Sequence, residues 1–201
     1  MSGDLMVLHA LRCVGFASVE RLAEATGLPE ADVESELIDL AVTGLVTYEL
    51  GLFRAWGLTD AGRAAAAKRV SDELDTAGAR QAVAAAFDDF LVLNPELLDL
   101  CGAWQTRVVD GVTTANDHTD AAYDGRVLDL FADFHRRADG VCADLAAALP
   151  RFSRYRDRLT GAITRARHGD LGYLTDRLDS YHTVWCQLHE DLLVTLGIPR
   201  Y

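Results

Sequence analysis

Between residues 15 and 60 the chain is broken too often to form long helices. Gly27-Leu28-Pro29 interrupts one helical pattern, Gly44 ends the next, and two β-rich runs follow within fifteen residues. The breaks fix a succession of short elements. Leu5, Leu8, Leu11 and Val14 recur three apart and predict a first helix. Ser18 can cap a short second helix, Val19 to Ala25, with Leu22 and Ala23 facing inward. Pro29 can open a third helix, because its missing N–H is not needed there. Val33, Leu37, Leu40 and Ala41 would form that helix's buried face. Leu45 to Leu50 and Phe53 to Leu58, separated by Gly51, read as a hairpin, and Thr59 can cap a helix running through Ala64–Ala67 towards Thr76. Helix, helix, turn, helix, hairpin, helix is the order of a winged helix-turn-helix.

From there on the pattern is helical throughout. Arg80 to Leu93, Pro95 to Arg107, Tyr123 to Ala138, Val141 to Leu149, Ser153 to His168 and Asp179 to Leu196 each carry apolar residues at a 3.6-residue period. Asn94-Pro95, Gly140, Pro150 and Gly169 punctuate them, and Val108 to Ala122 reads as one long polar loop. The expected fold is mainly α. A winged helix-turn-helix with a two-stranded wing occupies residues 1–68, connecting helices 69–93, and an all-α sensing or dimerisation domain 94–201.

The stretch RLAEATGLPEADVESELIDLAVTGLVTYELGLFRAWGLTDAGRA resembles the core of MarR-type winged-helix transcription regulators, with LAEATGL, GLV and LTDAGR as the matching segments. The resemblance covers roughly residues 5 to 66. It implies a transcription factor, usually dimeric, whose third helix enters the major groove and whose wing touches the backbone. The C-terminal part departs from the MarR layout, in which dimerisation helices flank the DNA-binding module on both sides.

The charge points the other way. The chain of 201 residues has a formal net charge of -12, which repels polyanions. Residues 1–68 hold five basic residues (Arg12, Arg21, Arg54, Arg63, Lys68) against ten acidic ones, a balance of -5. DNA-binding domains usually carry a basic footprint. The third helix is the most acidic part, with Glu30, Asp32, Glu34, Glu36 and Asp39 and no Lys or Arg. It also lacks Asn and Gln, so neither guanine nor adenine has its usual reader. Arg54 is the one cation of the hairpin. Glu34, Glu36 and Arg54 are therefore contact candidates for either DNA or a protein partner. A second set is Arg151, Arg154 and Arg158, which share a helix face within a segment of six arginines and one aspartate, Arg151 to Arg167. That segment suits a phosphorylated ligand, an acidic partner or nucleic acid; a solvated helix face, or pairing with the acidic third helix, is the plainer alternative.

Candidate pocket residues cluster towards the C-terminus. Tyr181, Trp185, Leu188 and Leu192 form a buried stripe on the last helix, flanked by His182, His189 and Glu190. Trp104, Gln105 and Arg107 close an earlier helix, and Asn116, Asp117 and His118 lie in the polar loop. Brought together, the aromatic rings would wall a small-molecule cavity and the polar groups would line it. Asp117 or Glu190 beside a histidine would suit a general base. No phosphate-cradling glycine loop, G-x-S-x-G or H-E-x-x-H occurs, so no cofactor, metal or catalytic residue is assigned, although His118, Asp120 and His182 are of metal-binding type.

Cys13, Cys101, Cys142 and Cys186 are scattered and read as buried reduced thiols of a cytoplasmic protein. No apolar run approaches the roughly 20 residues of a membrane span, and Met-Ser-Gly-Asp is no secretory signal. Three functions are compatible with these features. The first is a homodimeric transcriptional regulator with a small-molecule effector site. The second is a winged-helix protein that docks a protein instead of DNA, and the third a small enzyme using the C-terminal pocket.

Overall fold

The structure, a computed structural model, describes residues 3–50 and 54–199. Gly51, expected between the two strands, and Phe53, expected to open the second, lie outside the described residues. The chain is mainly helical, with eight α-helices and two two-stranded antiparallel sheets among the described residues. It divides into two compact units. One runs to Arg80 and takes in the chain from His189 onward; the other spans Gln81 to Leu188.

In the first unit the element order is α1 (Gly3–Val14), α2 (Val19–Thr26), α3 (Glu30–Val42), β1 (Val46–Glu49), β2 (Ala55–Leu58) and α4 (Asp60–Thr76). Ser18 caps α2 by accepting from the Arg21 N–H, and Gly27, at φ 75°, ends it in the left-handed conformation that glycine adopts without strain. Pro29 is the residue just before α3 rather than its first residue. α1 packs against α2, α3, α4 and β2, burying Leu8, Leu11, Leu22, Val33 and Leu37 almost completely. Ala17, in the link between α1 and α2, exchanges both backbone hydrogen bonds with Trp56 of β2, at 3.0 and 2.9 Å.

The LTDAGR segment has a definite mechanical role. The Thr59 hydroxyl accepts from the Gly62 N–H and donates to the Gly44 carbonyl at 2.8 Å, so one side chain caps α4 and ties it to the end of α3. Gly62 lies so near the Leu45 carbonyl that a Cβ would collide with the oxygen. Only glycine fits. Arg63 pairs with Asp60 and donates to the Leu58 carbonyl at 2.9 Å.

The second unit departs from the expected pattern in two ways. First, α5 runs unbroken from Arg80 to Gln105 with Pro95 inside it, and α6 runs from Ala121 to Ala148 through Gly140. Interior proline costs about 3 kcal/mol and glycine about 1 kcal/mol in an isolated helix. Here the buried stripes Phe90, Leu93, Leu97, Leu100, Trp104 and Phe134, Ala138, Val141, Leu145 continue through both residues, and packing outweighs propensity. Second, this part is not all-α, because the polar loop contains β3 (Thr106–Val109) and β4 (Val112–Ala115). Asp110 and Gly111 form the two-residue turn with φ of 51° and 79°. Both positive values belong to the turn whose twist matches a β-hairpin. α7 (Ser153–Arg167) packs along α6, and α8 (Tyr181–Leu196) is the last helix.

Gly62→Ala is expected to lower stability by about 1–3 kcal/mol, the usual cost of forcing volume into a filled space. Thr59→Ala should cost about 1 kcal/mol through the lost cap. Urea midpoints measure both; an unshifted midpoint for Gly62→Ala contradicts the close approach.

Candidate functional site

The outward face of α3 is the most distinctive surface of the first unit. Val33, Leu37 and Leu40 point into the core, so the helix period turns Glu30, Asp32, Glu34, Ile38, Asp39 and Val42 to solvent. Glu34, Ile38 and Val42, four apart, form one stripe. Ile38 is 52% and Val42 83% exposed. None of the α3 carboxylates is in an ion pair among the described residues, whereas nearby cations are occupied: Arg63 by Asp60, Lys68 by Asp72 and Arg69 by Asp4. Glu36 differs from its neighbours. It is half-buried against the start of α1, and burial, then the charges of Asp4, Asp39 and Asp32, raises its pKa. It is the less available of the two glutamates singled out in the sequence. Arg54 is exposed beside β2.

In the second unit, the expected pocket residues separate into distinct groups. Around the β3–β4 hairpin, Asn116 is buried and its Nδ2 donates to the Trp104 carbonyl at 3.0 Å and to Asp124 Oδ1 at 2.8 Å. His118 Nδ1 lies 3.1 Å from Asp124 Oδ2, and its ring sits 4.5 Å from the Trp104 ring. Arg107 donates to Asp117 at 2.8 Å and reaches Asp120 at 3.6 Å. Hydrogen bonds from the Thr119 side chain and backbone, more than Arg107, hold the Asp117 carboxyl below its ordinary pKa. The Gln105 carbonyl accepts from the Asn116 N–H at 2.8 Å while its residue is exposed. Asp120 caps α6, as its place in the sequence suggests. The structure thus brings Trp104, Gln105, Arg107, Asn116, Asp117 and His118 together.

Tyr181 and Trp185 belong to a different cluster. The Trp185 ring stacks on Phe90 at 4.4 Å and meets Phe134 edge-on, and its Nε1 donates to Asn94 at 3.0 Å. The Tyr181 hydroxyl is 3.1 Å from His135 Nδ1. Both rings are packed core, not walls of an open cavity. His182 is half-buried at the start of α8; His189 and Glu190 belong to the first unit. Of the four cysteines, Cys101 and Cys142 are buried, and burial pushes both thiols up to about 12; Cys13 is half-buried and Cys186 exposed, contrary to expectation.

An open cleft of about 700 Å³ lies between α6 and α7, lined by His135, Asp139, Arg156, Thr160, Thr164 and Arg165 among others. Arg156 grips Asp139 through two hydrogen bonds of 2.6 and 2.7 Å, which lower the Asp139 pKa. Arg165 donates to the Tyr173 hydroxyl at 2.7 Å. Arg151 and Arg154 lie over the Phe152 and Tyr155 rings, at 4.3 and 4.9 Å, and Arg158 is half-buried. Among the described residues the arginine-rich segment therefore spends charge on Asp139, Asp179 and aromatic faces, where the sequence suggested the carboxylates of the third helix. His135 carries no signal in the sequence, because it sits mid-helix among ordinary polar residues.

No family model, curated protein or solved structure matches the chain. Among the described residues, no helix is long and apolar enough to cross a membrane.

Burial, aided by the Arg156 charge and opposed by Asp139, lowers the His135 pKa from 6.5. A depressed folded-state pKa means protonation favours the unfolded chain, so this contribution is present above pH 6.5 and is lost as pH falls through the lower folded-state value. His135→Gln should flatten the decline of the urea midpoint on acidification from neutral pH; an identical decline in both proteins contradicts it.

Proposed function

We propose that the first unit is a winged-helix-type module that recognises a basic, amphipathic protein segment through the outward face of α3. The carrying observation is that face itself: Glu30, Asp32, Glu34 and Asp39 around the exposed Ile38 and Val42, with no cation. Three features support the winged-helix arrangement. They are the element order, the Ala17–Trp56 bridge joining the α1–α2 link to the hairpin, and the Thr59 tie between α3 and α4.

A duplex meeting this helix would set phosphates against carboxylates, and counterion release requires Lys or Arg to replace the counterions. A basic segment meets the opposite situation. Its charges are complementary to α3, and its apolar side chains can cover Ile38 and Val42, giving orientation as well as attraction. Carboxylates without internal partners need not give up an ion pair to bind.

The second reading is the transcriptional regulator, homodimeric and responsive to a small molecule held by the second unit. It draws on the same element order and on exposed Arg54 beside the hairpin.

Fluorescence anisotropy of the full chain distinguishes the two. The probes are a labelled Lys/Leu amphipathic peptide and a labelled random duplex, each at low salt. The protein-docking reading expects saturable peptide binding, weakened about tenfold or more (~1.4 kcal/mol) in Glu34→Lys/Asp39→Lys and in Ile38→Ser/Val42→Ser. Saturable duplex binding that is lost in Arg54→Ala, with no peptide binding, would instead establish the regulator.

A further inference from the structure

We propose that His9, Cys13 and Asp191 form a binding site for one zinc-class divalent cation. His9 and Cys13 stand four apart on α1, so both side chains leave the same helix face. Asp191 comes from the part of α8 that belongs to the same unit. His9 Nε2 is 2.8 Å from Asp191 Oδ1 and 3.6 Å from Cys13 Sγ. One donor atom from each residue lies within 4.8 Å of the other two.

The geometry does not suit a catalytic relay. In a thiol–imidazole–carboxylate relay, the thiol and the carboxylate address opposite nitrogens of the ring. Here both address Nε2, which cannot accept a proton from one and donate to the other at once. A His–Asp pair accounts for the 2.8 Å contact, and the sulfur adds a third donor atom beside the same nitrogen. Convergence of nitrogen, sulfur and oxygen on one point is the arrangement a metal requires. With Zn–N about 2.0, Zn–S about 2.3 and Zn–O about 2.1 Å, tetrahedral donors stand about 3.3–3.6 Å apart. The His9–Cys13 separation already matches, and the Asp191 oxygen needs to draw back by about half an ångström.

The charges also balance. The His9 and Asp191 side chains are fully buried, where an uncompensated charge is costly. A thiolate and a carboxylate neutralise a divalent cation, and imidazole adds a neutral ligand. The donor set is borderline-soft, which selects zinc-class ions over calcium or magnesium. Thr195, one turn beyond Asp191, donates to Asp191 Oδ1 at 3.0 Å and orients that carboxylate. Cys13 is only half-buried, which leaves a side open for entry and for water as fourth ligand. Binding expels the thiol proton and any proton shared by His9 and Asp191 into solvent, so affinity rises with pH.

The test is a cobalt titration of the metal-stripped full chain. The expected result is a thiolate-to-cobalt charge-transfer absorption that saturates at one equivalent and is displaced by zinc. Cys13→Ser should lose that absorption while keeping the wild-type circular dichroism, and Cys186→Ser should retain it. Asp191→Asn should weaken binding about tenfold or more. Absence of the band in the wild type, its survival in Cys13→Ser, or its loss in Cys186→Ser overturns the site.

Discussion

The first unit depends on one close approach, that of Gly62 to the carbonyl of Leu45. At this point α3 has just ended, β1 is about to begin, and α4 starts a few residues later in space. Thr59 binds the same junction from the other side, reaching both the Gly44 carbonyl and the Gly62 N–H. The junction holds α3 relative to the hairpin and α4. With Val33 and Leu37 fully buried, the rotation of α3 about its axis is settled too. Which residues face solvent is then not a matter of chance: four carboxylates and two aliphatic side chains share the surface that a winged-helix-type module would present.

That surface changes the meaning of the net charge. A uniform -12 would merely discourage polyanions. Part of that charge is matched locally and part is not. On α4 and the start of α1 the acids are matched by Arg63, Lys68 and Arg69, and in the second unit Asp139 and Asp179 lie against Arg156, Arg165 and Arg177. Among the described residues, those on α3 are unmatched. Exposed ion pairs contribute little stability, commonly under about 1 kcal/mol. Their placement is more informative about what each surface is suited to meet.

Local signals in the sequence carry much of the fold. Ser18, Gly27, Gly44 and Thr59 mark real boundaries because each performs a local backbone task that its neighbours cannot perform. Pro95 and Gly140 mislead for the converse reason: their local penalties are real, but buried residues on both sides hold the helices together. Asp110-Gly111, between β-branched residues, is a hairpin signal that the polar composition around it masks as a loop. The candidate sites are less legible. Arg107, Asp117 and His118 are near in sequence and near in space, whereas Trp104 and Trp185 join different clusters. Nothing in the sequence joins His9 and Cys13 to Asp191, since their meeting depends on how α8 returns to α1. His135 likewise becomes distinctive only when Tyr181, Thr160 and Arg156 surround it.

Methyl-resolved NMR of the full chain tests the role of α3 most directly. Addition of the Lys/Leu amphipathic peptide should shift the Ile38 and Val42 methyl signals and leave those of buried Leu8 and Leu22 in place, while duplex DNA at equal concentration moves none of them. Duplex-induced shifts at Ile38 and Val42, with no response to the peptide, would contradict protein recognition by this helix.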